Sequence, residues 1–185
     1  MSDQNIHTKK QFKIVMRGPS AVLFHQNQQL FVENFPSSTG PVNIIYSTRW
    51  LKREKELRIP GNLWIEIRGS GSILEDVINS FANAGLAILP IISLSTNAAI
   101  GYPEVELGFD CTPGVTKRDY FQNNIPPESG VVYLGRLINR EATVKLLDAI
   151  SSHPDAERLR RGINQYRLAL DYLKFGYATL SLAHL

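Results

Sequence analysis

From Phe12 to Arg68 the apolar residues tend to fall at every second position, and this alternation restricts the fold more than any other feature of the chain. "FKIVM" sets Phe12, Ile14 and Met16 on one side, and "LWIEIR" sets Leu63, Ile65 and Ile67 opposite Trp64, Glu66 and Arg68. Between them come "AVLF", "QLFVEN" and "VNIIY", separated by short Gly/Pro or Gln/Asn breaks and by the loop "FPSSTGP". Segments of period two broken by turn residues are short strands of an antiparallel sheet.

The period changes at "GSGSILEDVINSFANAG". Ser72 with Glu75 three residues on has the form of a capping box, which would satisfy two amide donors at a helix start. Leu74, Val77, Ile78 and Phe81 then share a helical face, and Gly85 suits a helix end. "LAILPIISLSTNAAIG" is apolar enough to be buried, but Pro90 argues against an undisturbed helix through that point. A second helical segment from about Pro90 to Ala99 is expected, with a buried strand as the alternative for residues 86–100. "PEVELGFD" returns to alternation, Val105, Leu107 and Phe109 facing away from Glu104, Glu106 and Asp110. A loop over residues 112–130 precedes a last strand, "GVVYLGRLI", and a short helix opened by Asn139. "SSHPD" marks the start of a long helix, with Ser152 and Asp155 as its cap pair and Pro154 in the first turn.

Strands, helices, strands and helices in that order predict an α+β fold: an antiparallel sheet of about six or seven strands packed by helices, with a long C-terminal helix. The expected organisation is a flexible tail over residues 1–11, an α+β domain over 12–150, and the long helix over 151–185, the start of a further helical domain.

The 185 residues suffice for one well-buried core. A net charge of +3 is too mild to argue by itself for nucleic acid or anionic lipid. The single cysteine, Cys111, excludes an intramolecular disulfide framework and a zinc site built on paired cysteines, and it fits a reducing compartment. The opening "MSDQNIHTKK" has no apolar region behind it, "GLAILPIISL" is short for a bilayer span, and "LALDYLKFGYATLSLAHL" carries Asp171 and Lys174. A cytoplasmic protein with no membrane partner is expected.

Along the long helix, Leu159, Ile163, Tyr166, Leu170, Leu173, Tyr177, Leu180 and His184 form a heptad-like seam. Leu168, Tyr172, Phe175 and Leu182 widen it, and Ala169, Gly176 and Ala183 recur every seven positions as a line of small residues. Only Arg167, Asp171, Lys174 and Ser181 remain as a polar strip. Such a helix needs more cover than one sheet face gives. Tyr166, Leu170, Leu173, Gly176, Tyr177, Leu180, Leu182 and His184 are therefore the candidate interface, for further helical sequence or for a second copy of the chain. The competing expectation is that this helix runs through the core of its own domain.

The stretch "INQYRLALDYLKFGYATLSLAHL", with an echo in "LSTNAAIGYPEVELGFD", resembles the junction in uncharacterised bacterial proteins where an N-terminal α+β domain runs into a HEPN-like helical domain. The resemblance covers about the last 45 residues and implies that this chain is the N-terminal part of a larger protein. HEPN ribonucleases carry an Arg and a His separated by four to six residues on a helix. Arg17 and His25 have seven residues between them and lie among strands, and His184 has no Arg at that spacing. The resemblance thus implies an accessory or sensing domain rather than an active nuclease.

Other constellations are sparse. "RGSGSILED" offers Gly69 and Gly71 but neither a third glycine nor a GK[ST], and Glu75 and Asp76 would repel a phosphate there. "RWLKREKELR" sets Arg49, Lys52, Arg53, Lys55 and Arg58 around Trp50, the minimum for gripping single-stranded nucleic acid, although Glu54 and Glu56 interleave and a solvated loop between strands is expected. Arg158, Arg160 and Arg161 at the start of the long helix oppose its dipole, so an acidic neighbour or partner is expected to favour them. His7, His25, His153 and His184 share no ligand spacing, so no metal and no cofactor is expected. Asp110 and Cys111 would need a nearby base to act as a catalytic pair. The leading expectation is a non-catalytic interaction or regulatory domain of a larger bacterial protein. The runner-up is an RNA- or DNA-binding accessory domain of a defence or RNA-processing system, and an enzyme is disfavoured.

Overall fold

A computed structural model describes residues 9–52, 58–125 and 135–174. The alternating region forms β1 (Lys10–Gly18), β2 (Val22–Leu23), β3 (Leu30–Phe35), β4 (Val42–Lys52) and β5 (Arg58–Gly71), followed by helix α1 (Leu74–Thr96). Then come β6 (Glu104–Asp110), β7 (Tyr120–Gln122), β8 (Arg136–Leu137), α2 (Arg140–Ser152) and α3 (Ala156–Lys174). Six strands make one antiparallel sheet in the order β3-β4-β5-β1-β6-β7, while β2 and β8 pair in parallel as a separate ribbon. The fold is α+β, as the periodicity predicts. Of the expected strand at 130–138, the described part is β8, which joins β2 and not the main sheet.

One face of the sheet carries Phe12, Ile14, Met16, Ile44, Tyr46, Leu63, Ile65 and Ile67, all buried. Helix α1 covers this face with Leu74, Val77, Phe81, Ala84, Ile88 and Ile92. The approach is close: a Cβ on Gly69 would meet Phe81 at 2.9 Å, and one on Gly85 would meet Ile67 at 2.7 Å. The Tyr46 hydroxyl donates to the Gly85 carbonyl at 2.7 Å, so the one polar atom of that core side chain is satisfied. Burial pushes its pKa well above 10.0.

Two expectations about this helix are corrected. Gly85 does not end it: it lies mid-helix, where the absence of a side chain lets α1 settle on β5. Nor does Pro90 divide it, because α1 runs unbroken through Pro90 to Thr96, and residues 86–96 are neither a strand nor a separate helix. Tertiary burial of Ile88, Leu89, Ile91 and Ile92 offsets the lost hydrogen bond. As one piece of 23 residues, with an 18-residue window of mean hydropathy 1.7, α1 is long and apolar enough to cross a membrane, contrary to the impression left by the shorter apolar run; here its apolar surface is spent largely on the sheet. Its end is set by Asn97 in the left-handed region (φ 49°). Its start has no capping box, since Ile73 occupies the cap position without a side-chain bond.

The other helix ends follow a similar logic. Asn139 caps α2 by accepting from the Ala142 amide at 3.0 Å, as expected. Ser152 does not cap α3; it is the last residue of α2, and its hydroxyl turns back to the Asp148 carbonyl. The Asp155 carbonyl accepts from the Leu159 amide at the entry to α3.

Of the polar strip read along the long helix, Arg167 is corrected, Asp171 is half-buried, and the Lys174 side chain and Ser181 lie outside the described residues. Arg167 is only 9% exposed and donates to the Ile100 carbonyl at 2.8 Å. Ala169 is buried beside it, and the Tyr166 hydroxyl donates to the Asn97 side chain at 2.6 Å. Helix α3 therefore meets α1 through a partly polar face. Burial pulls the pKa of the Arg167 guanidinium below its usual range, while the Asp171 carboxylate acts in the opposite direction.

Candidate functional site

A strand buries one side of its pleat and shows the other. In this sheet the second side is not covered by α1, and its residues come together in rows set by the register. Arg17 lies beside Trp64 and Trp64 beside Ser47; Val15 lies beside Glu66 and Glu66 beside Ile45; Lys13 lies beside Arg68 and Arg68 beside Asn43. On β6, Leu107 and Phe109 pair with Val15 and Lys13 and extend the same face.

Two bulges shape it. The register of β4 on β5 shifts between Thr48, paired with Leu63, and Trp50, paired with Pro60, so Arg49 alone stands opposite Gly61 and Asn62 and the extra residue is on β5. Arg49 follows Ser47 on the open side by plain alternation about the buried Thr48, and its guanidinium lies over the Trp64 ring, 4.5 Å from its centroid. Arg17 flanks the same ring at 5.9 Å and is also held by Glu106 at 3.5 Å and the Ile125 carbonyl at 2.5 Å. The second bulge, between Val15 and Met16 on the β1–β6 ladder, overturns the expected facing of β6. Val105 packs on the core while Leu107 and Phe109 pair with the open face, and Asp110, expected outward with Glu104 and Glu106, is fully buried.

The open face holds a groove of about 730 Å³ lined by Lys13, Arg49, Trp64, Glu66 and Arg68, with the polar loop Gln26–Gln29 at its rim. That volume is in the range of sites that take small ligands or single nucleotides. Three cations face one carboxylate among these residues. Glu66 is shared by Lys13 at 2.5 Å and by Arg68 at 2.7 Å. Burial alone would raise the Glu66 pKa, but hydrogen bonds from Lys13 and Arg68, and their charges, hold it below its usual 4.5. A carboxylate with a lowered folded pKa stabilises the fold above its unfolded pKa and loses that contribution as pH falls through the lowered value. Glu66→Gln is therefore expected to flatten part of the acid limb of a stability-versus-pH curve below about pH 4.5, checked by urea unfolding at several pH values. It also releases Lys13 and Arg68 toward the groove, and an anionic ligand there should bind several-fold more tightly.

The cluster read from "RWLKREKELR" is only partly assembled. Arg49 to Lys52 belong to β4 and are not loop. Arg49 reaches the groove. Trp50 lines it but is half-buried and gives its indole N–H to the Phe24 carbonyl at 3.0 Å, so it is anchored in place. Lys52 and Arg58 are backbone partners at the ends of β4 and β5, and Arg53 and Lys55 lie outside the described residues. Sequence reasoning missed Trp64, Arg68, Lys13 and Arg17. Their signal was present: the non-core positions of "LWIEIR" and "FKIVMR" bear an aromatic and charges.

Of the candidate interface on the long helix, Tyr166 and Leu170 are half-buried and Leu173 is 57% exposed, while Gly176, Tyr177, Leu180, Leu182 and His184 lie outside the described residues. Asp110 is bound by the Thr112 amide at 2.8 Å and lies 3.6 Å from Lys10. Burial raises the Asp110 pKa, but the hydrogen bonds from Thr112 and the Lys10 charge more than offset that and leave it below 3.8. This is a structural ion pair rather than a base for Cys111. No group of three His, Cys, Asp or Glu among the described residues could hold a metal ion.

Comparison with known proteins finds no family model, no curated protein and no solved structure that matches the chain.

Proposed function

We propose that the chain is a non-catalytic binding module whose open sheet face holds single-stranded nucleic acid. The observation that carries this reading is the Arg49 guanidinium stacked on Trp64 in a groove that also bears Lys13 and Arg68. Bases stack on aromatic rings and on guanidinium planes, and cations along a groove neutralise phosphates. The face has the apolar floor such stacking needs in Val15, Ile45 and Trp64. Among the described residues that line the groove, Glu66 is the one carboxylate, and it is already shared by Lys13 and Arg68. This reading keeps the non-catalytic expectation and moves the nucleic-acid site from Trp50 to Trp64.

The test is fluorescence anisotropy with a labelled single-stranded oligonucleotide of about 12 nucleotides, an order-of-magnitude length for one such platform. Affinity should fall linearly in log–log terms with salt, with a slope of about −1.5 to −2 if two or three phosphates are neutralised. Trp64→Ala should weaken binding by about tenfold or more while leaving that slope nearly unchanged, since stacking is worth ~1–3 kcal/mol per base and carries no charge. Absence of salt-dependent binding at low ionic strength contradicts the reading. Retention of a polypeptide but no oligonucleotide would make the same face a protein-docking surface.

A second reading has its own support. Leu159 and Leu173 are 38% and 57% exposed on α3, which favours a second copy of the chain packing along that helix. Sedimentation at rising protein concentration tests it: a single monomeric species throughout contradicts it.

A further inference from the structure

Arg160 and Arg161 stand in the first turns of α3, where the helix dipole opposes positive charge. Among the described residues neither has a carboxylate within salt-bridge distance. Arg160 reaches only the Ser151 hydroxyl, at 3.4 Å. Glu157, one turn before them, is the acidic residue that shares their stripe, and no salt bridge joins it to either among the described residues.

Positions 157, 160, 161, 164 and 167 fall on one stripe of a helix. In this protein that stripe is Glu157, Arg160, Arg161, Asn164 and Arg167, and it lines one wall of a crevice of about 460 Å³ against α1. Three cations face a single carboxylate in it. The opposite wall is apolar and comes from Leu86, Ala87, Leu89 and Pro90. Pro90 has no N–H to give to the Leu86 carbonyl, so this wall includes a backbone acceptor without its intrahelical donor. Arg167 is fixed at the base by the Ile100 carbonyl and by Asn164, at 2.8 and 3.3 Å. Its position is set before any ligand arrives, and Arg160 and Arg161 are free to close on one.

We infer that the α1–α3 crevice binds a phosphate monoester with an apolar or aromatic body. Arg160, Arg161 and Arg167 outnumber the one carboxylate lining the crevice, with Asp171 taking up part of the Arg167 charge, and a guanidinium fork can bridge two oxygens of a phosphate. The apolar wall takes the body, and the volume lies in the range of small-ligand sites. The crevice shares no lining residue with the sheet-face groove, so the two sites are independent.

Isothermal titration of the full chain with phenyl phosphate, at constant ionic strength, tests this. Saturable binding is expected, at least tenfold tighter than inorganic phosphate. The double substitution Arg160→Ala/Arg161→Ala should weaken it at least tenfold, and Arg161→Ala alone by a smaller factor. Arg49→Glu/Arg68→Glu, on the sheet face, should leave phenyl phosphate binding unchanged, which separates failure of this site from failure of the nucleic-acid reading. Binding no tighter than inorganic phosphate, or equal binding by the double variant, overturns the proposal.

Discussion

Phe81→Ala should destabilise the protein by about 3–5 kcal/mol, the largest single effect expected in the chain. Phe81 is fully buried where α1 crosses β5, directly over Gly69. The ring tip occupies the space a side chain at Gly69 would take, and glycine has nothing with which to refill it. The loss therefore includes both the transfer of the ring and a cavity that cannot collapse. Urea unfolding followed by far-UV circular dichroism measures it, and the midpoint should fall with little change in slope. Oligonucleotide affinity of the folded fraction should be unchanged, since Phe81 lies on the side of the sheet away from the groove. A change below about 1 kcal/mol would mean that α1 does not pack on the sheet as described.

The second large effect is on binding. Arg49→Glu/Arg68→Glu replaces two groove cations with carboxylates beside Glu66. Two phosphate contacts are lost and two repulsions are added, so single-stranded oligonucleotide affinity at about 50 mM salt should fall by about a hundredfold or more. The salt slope should shrink by roughly 0.7 for each lost phosphate contact, so by about 1.4 in all. Both side chains are exposed, and the fold should survive: Arg68 gives up a surface ion pair, of the kind that contributes little to stability. Anisotropy across a salt series, beside a thermal melt, separates lost binding from lost structure.

The sheet was legible because its burial is one-sided: Phe12, Ile14 and Met16, and Leu63, Ile65 and Ile67, alternate cleanly against polar neighbours, and the structure buries that side. What could not be read was where the ladder slips. A bulge is one residue out of register, and no composition marks it. The bulge between β1 and β6 turned Asp110 inward and Leu107 outward, and the one between β4 and β5 spends its extra residue on β5 opposite Arg49. The basic residues of "RWLKREKELR" were visible, but the partner ring came from the neighbouring strand, a contact that linear spacing does not contain. The local cost of proline predicts a break at Pro90, but the core that α1 buries outweighs it. Helix periodicity places Arg167 on a polar face but does not give the polarity of what that face meets; a carbonyl at Ile100 makes it a buried residue.

Ultraviolet cross-linking of a single-stranded oligonucleotide to the full chain, followed by peptide mass spectrometry, tests the central claim most directly. Cross-links should concentrate on the β5 segment around Trp64 and on the β4 segment around Arg49, and should be competed away by salt. Cross-links confined to α3, or an absence of cross-links at low salt, would contradict the assignment of the open sheet face as the nucleic-acid surface.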